Sequence, residues 1–129
     1  MSEPTVELGA RWQSERCPEC AFDPNGVGAA ELPAAVAGLG RRYQAPLTRF
    51  LPGEDESILV ARPLPGVWSA LAYACHVRDV LAVFDGRIAR MLAEDAPELG
   101  WWDHEAAVEA DAYEKQVPAE VAAAVAANA

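Results

Sequence analysis

Between Pro65-Gly66 and Pro97 the chain has room for only one kind of element. Tyr73, Val77, Val80, Leu81, Phe84, Ile88, Met91 and Leu92 recur at three-and-four spacing, the period of one helix face and not of a strand. Ser69 stands where a side-chain cap belongs, and Pro97 with Gly100 ends the pattern, so a helix is predicted from about Ser69 to Ala93. The neighbouring stretches repeat the theme. Leu32, Val36, Leu39, Tyr43, Leu47 and Phe50 predict a helix over 32–51, with Pro33 in its first turn, weakened by Gly38, Gly40 and Pro46 and kinked before Pro46. Residues 52–67, with Pro52, Pro63 and Pro65, read as a linker. After Trp101-Trp102, Asp103 can cap a shorter acidic helix to about Lys115, and Pro118 opens an Ala-rich helix with a thin seam of Val117, Val121 and Val125. No segment alternates convincingly as a strand, so the fold class is all-α. A sheet of three or more strands would overturn it.

Composition sets how such helices can pack. Leu, Ile, Val and Phe supply only 28 of 129 residues, while alanine makes up about a fifth of the chain. The core must therefore come from closely approaching, Ala-rich helices. The last helix looks half built for a bundle whose members should match in length, and the apolar face left open predicts self-association, most simply as a homodimer. Ten basic residues against twenty acidic ones leave a net charge of −10, which repels phosphate backbones and anionic lipid and argues against nucleic-acid or membrane partners. Met1-Ser2-Glu3-Pro4 has neither a basic region nor an apolar one, and no run approaches a membrane span. The expected compartment is the cytoplasm.

Three cysteines cannot close a disulfide framework, and two of them form Cys17-x-x-Cys20. That is the spacing at which two thiolates grip one Zn²⁺. A thioredoxin-like role would need a strand before the motif and a helix after it, and the turn formers of Asp23-Pro24-Asn25-Gly26 argue against both. Residues 1–30 thus read as an irregular loop on a single helical domain of 1–129. One such pair is half a site. The other soft ligands are Cys75, His76 and His104, so a Cys₂His₂ or Cys₃His set requires the loop to fold back on the long helix. The expected ligand set is Cys17, Cys20, His76 and His104. Cys75 lies about 100° round the helix from His76 and cannot easily share its ion. Asp79, at i+3, could hold the His76 ring. Taken singly, a histidine placed like His76 is more often a satisfied core residue than a ligand, His104 is as readily plain surface, and a pair such as Trp101-Trp102 more often packs than walls a pocket.

The run Pro65-Gly66-Val67-Trp68-Ser69-Ala70-Leu71-Ala72-Tyr73-Ala74-Cys75-His76-Val77-Arg78-Asp79-Val80 resembles the second helix of actinobacterial DinB-like proteins. Those are similar to the metal-binding domain of mycothiol-dependent maleylpyruvate isomerase. Cys17-Pro18-Glu19-Cys20-Ala21-Phe22-Asp23 and Trp102-Asp103-His104-Glu105 also resemble stretches of that group. The resemblance implies an up-and-down four-helix bundle holding a divalent metal on three histidines, of which one carries over to His76. The other two belong to a later helix that this sequence stops short of, so the implied bundle is incomplete or completed by another subunit.

Two functions follow as expectations. In the first, a divalent metal, Zn²⁺ by ligand type, ties the Cys17–Cys20 loop to the long helix through one or two of Cys75, His76 and His104 and stabilises the fold. In the second, implied by the resemblance, the metal is a Lewis acid for a transferase or isomerase that uses a small thiol as co-substrate.

Overall fold

The computed structural model describes residues 14–129, and the chain groups into two compact units, one ending at Val36 and one running from Ala37 to Ala129. In the first, Cys17-Pro18-Glu19-Cys20 makes a tight turn. The Ala21 N–H donates to the Cys17 carbonyl (2.9 Å) and the Cys17 N–H to that of Phe22 (2.7 Å). Ala21 closes the turn at φ 63°, a left-handed conformation that costs an L-residue about 1–2 kcal/mol. Asp23 then caps a 3₁₀ turn, Pro24–Gly26, by accepting from the Asn25 N–H at 2.9 Å. Pro24 in the first position loses nothing there, because that N–H has no helical partner anyway. Helix α1, Leu32–Ala37, follows.

The second unit contains α2 (Leu39–Thr48), the single turn α3 (Ser57–Val60), α4 (Ala70–Ala93), α5 (His104–Ala110), a 3₁₀ turn at Tyr113–Lys115 and α6 (Pro118–Asn128). Among the described residues there is no strand, and the all-α expectation holds. The long helix begins and ends where its signals put it: the buried Ser69 hydroxyl accepts from the Ala72 N–H at 3.1 Å, and Glu94 turns extended. Asp103 likewise caps α5 through the Ala106 N–H at 3.0 Å.

Three expectations need correction. The helix predicted over 32–51 is two helices parted at Gly38, and the chain runs helically through Pro46 to Thr48. Glycine is the weaker point because it has the most conformational freedom to lose, whereas Pro46 forfeits only the bond to the Arg42 carbonyl and the helix ends two residues later. The linker contains the α3 turn, which buries Leu59. The helix expected to reach Lys115 stops at Ala110, because Ala112 adopts φ 46° and turns Tyr113 inward.

Packing decides more than pattern does. Helix α6 lies against both α2 and α4, with Val121, Ala122 and Val125 fully buried, so the thin seam belongs to the best-covered helix of the unit. Gly40 lets α2 and α6 touch: a Cβ built there would meet the Ala126 Cα at 2.8 Å. The buried face of α4 is Leu71, Ala72, Ala74 and Cys75, with Val77 and Leu81 packed beside it. The larger side chains of the predicted stripe stay in solvent; Phe84, Ile88 and Met91 are half exposed and Leu92 is 85% exposed. A helix of 24 residues is about 36 Å long and one of 11 about 16 Å, so the final turns of α4 overrun their cover. The open apolar face is therefore on α4.

Candidate functional site

The return from the end of α4 builds the site. Arg90 bonds Glu94 (2.8 Å) and the Glu98 carbonyl (2.9 Å), and Arg87 bonds the Gly100 carbonyl (3.1 Å). These contacts lay residues 94–100 back along the helix and bring Trp101, Trp102 and the start of α5 alongside its first half. There the two histidines meet. His76 is in the second turn of α4 and His104 is the first residue of α5, and their ring centroids are 5.5 Å apart. Trp102 stacks on the His76 ring at 5.7 Å with 4° between planes, and Trp68 presents an edge contact at 5.4 Å. Trp68 in turn packs on Tyr73 at 5.3 Å. Gly66, Trp68, Tyr73, His76, His104 and Glu105 line a cleft of about 280 Å³.

The electrostatics favour the neutral form of His76. Burial first, then the neighbouring His104, push its pKa below the ordinary imidazole value, against weaker opposition from Asp79 and Glu105. Its Nδ1 is buried without a hydrogen-bond partner. Glu105 Oε1 lies 3.8 Å from His104 Nε2, the nearest carboxylate contact of the pair.

Asp79 does not hold the His76 ring. Its carboxylate accepts from the buried Tyr113 hydroxyl and pairs with Arg78 Nε at 2.9 Å. The Arg78 guanidinium also bonds Gln116 and lies 5.8 Å over the Tyr113 ring. This network joins α4 to the turn before α6. A free i+3 carboxylate looked available to the histidine; a tyrosine and an arginine claimed it. Cys75 is fully buried beside this network, its thiol directed at the Tyr113 carbonyl at 3.9 Å and its pKa pushed up to about 11 by desolvation. It does not line the cleft.

Of the residues singled out from sequence, His76 and His104 come together and Trp102 walls their meeting point, while Trp101 is 81% exposed. Cys17 and Cys20 belong to the first unit. Among the described residues no three His, Cys, Asp or Glu side chains converge as a ready-made ligand set. Trp68, Tyr73 and Glu105 were missed as lining residues. Only their sequence proximity to the histidines marked them, and aromatic neighbours at such spacing ordinarily serve packing.

Fold and cleft together define an all-helical protein with a paired-histidine, aromatic-walled site. Comparison with known proteins found no matching family model, no matching curated protein and no matching solved structure.

Proposed function

We propose that this is a metal-binding helical protein in which His76 and His104 hold one zinc-like divalent ion. The observation that carries the reading is the pairing of two imidazoles from separate helices, one with a buried and unpartnered nitrogen. Two imidazoles bonded at about 2.0–2.1 Å to one tetrahedral ion have ring centres roughly 5 Å apart, close to the 5.5 Å found. A neutral His76 suits a ligand, since the metal needs the lone pair. The sequence has only two histidines, so of the three in the DinB-like pattern only His76 has a counterpart, and His104 joins it from α5. Glu105 is the nearest acidic candidate for that position, with solvent or a small ligand in the remainder.

The cleft favours a second, catalytic reading of the same site. An ion with open positions acts as a Lewis acid that lowers the pKa of a bound water or thiol. Trp68 and Tyr73 would shelter the body of such a ligand, and Glu105 stands where a proton could be received.

The test is zinc titration of chelator-stripped protein in a Cys17→Ser, Cys20→Ser background, which silences the sulfur ligands. One ion per chain is expected, released on acidification as the imidazoles protonate, and lost when His76→Ala and His104→Ala are added. Undiminished uptake without both histidines would remove the reading. A small thiol that perturbs the spectrum of the cobalt-loaded form would favour the catalytic version.

A further inference from the structure

The Cys17-x-x-Cys20 turn has the spacing at which two thiolates grip one zinc-like ion. Its two backbone hydrogen bonds, 2.7 and 2.9 Å, close the turn around Cys17 and fix both cysteines on one short arc. Neither is buried in a core: Cys17 is half-buried and Cys20 exposed.

Two thiolates leave a tetrahedral zinc site half filled. The ligand inventory narrows what can complete it. The chain has three cysteines and two histidines. Cys75 is sealed in the core and directed at the Tyr113 carbonyl. His76 and His104 face one another under Trp102 and Trp68. Residues 1–36 contain no histidine and no further cysteine. With Cys75 sealed and, on the reading proposed above, both histidines assigned to the cleft, the same loop of a second copy supplies the missing thiolate pair at the same spacing.

We propose that two copies of this chain clasp one zinc-like ion between their Cys17-x-x-Cys20 turns, giving a four-sulfur site and a metal-dependent dimer. Zinc then exchanges four thiol protons for one ion, two from each chain, so assembly releases protons and reverses in acid. The partner copy supplies half of the ligands, and the site does not exist in the monomer.

Cobalt titration of the full chain reads this directly. Stoichiometry in the sulfur site should be one ion per two chains, with intense thiolate-to-metal charge transfer and the ligand-field bands of a tetrahedral tetrathiolate. Light scattering should show a dimer that chelator returns to monomer. The thiolate bands and the dimer should vanish in Cys17→Ser, Cys20→Ser, while circular dichroism stays helical, and both should survive in His76→Ala, His104→Ala. That last pair separates this proposal from the histidine site, since each can fail alone. One cysteine-dependent ion per monomer, or a cobalt spectrum indifferent to the serine variant, would overturn it.

Discussion

At the scale of single residues, two glycines carry opposite predictions. Gly40 permits backbone contact between α2 and α6, where an added Cβ would lie 2.8 Å from the Ala126 Cα. Neither backbone can yield cheaply, so Gly40→Ala should cost about 1–3 kcal/mol. Gly86 is inside α4 and a Cβ there meets nothing within 4 Å. Gly86→Ala should add up to about 1 kcal/mol, because glycine is the poorer helix former. Urea midpoints of the two variants should move in opposite directions. Cysteine reactivity is the second residue-scale test. Cys17 and Cys20 should react promptly with a disulfide reagent at about pH 8, and Cys75 only as the protein unfolds. The folded-state pKa of Cys75 is raised from 9.0 to about 11. Its contribution is therefore complete below pH 9 and lost as pH rises through 11. The buried Tyr113 phenol, raised by desolvation and by Asp79, acts in the same direction. Unfolding midpoints should fall across that alkaline window, and a flat profile would contradict the burial of both groups.

At the scale of elements, α4 is two helices in one. Its first half buries small side chains against α6; its second half displays large ones to solvent. Leu71→Ala should cost about 2–5 kcal/mol, since Leu71 is fully buried. Ile88→Ala and Met91→Ala should each change the stability of the monomer by no more than about 0.5 kcal/mol. Chemical denaturation of the three variants checks the contrast, and equal losses would mean that the outer turns are covered. The stripe from Tyr73 to Leu92 was a correct guide to a helix and a poor one to its buried side. A periodic pattern marks where large apolar side chains recur. In an Ala-rich bundle the tightest contacts are made by small residues, here Ala72, Ala74 and Cys75, which a pattern of large ones passes over. The break falls at Gly38 and not before Pro46, because glycine has the most backbone freedom to lose.

At the scale of the whole molecule, charge is the dominant long-range quantity. The net charge is −10. The second unit's Arg62–Glu114, Arg78–Asp79 and Arg90–Glu94 pairs answer only a few of the acidic groups. Self-repulsion of this size opposes the compact state and is screened over roughly 8–10 Å at 0.1–0.15 M salt. Added sodium chloride should therefore raise the thermal midpoint. A fall would mean that the ion pairs, which salt weakens, contribute more than the repulsion. No helix among the described residues is long and apolar enough to cross a membrane.

Sequence alone determined the helical class, the ends of α4 and the caps at Ser69 and Asp103, because each depends on residues within a turn or two of one another. It also singled out His76 and His104 as chemistry-bearing. Tertiary structure alone decided that their rings meet, that Asp79 serves Tyr113 and Arg78 in place of His76, and that α6 is buried while the outer half of α4 is not. Those outcomes turn on which surfaces approach closely enough to exclude water. A local pattern does not encode that choice: a carboxylate three residues from a histidine bonds whichever donor the packing brings nearest, and here the packing brought a buried phenol.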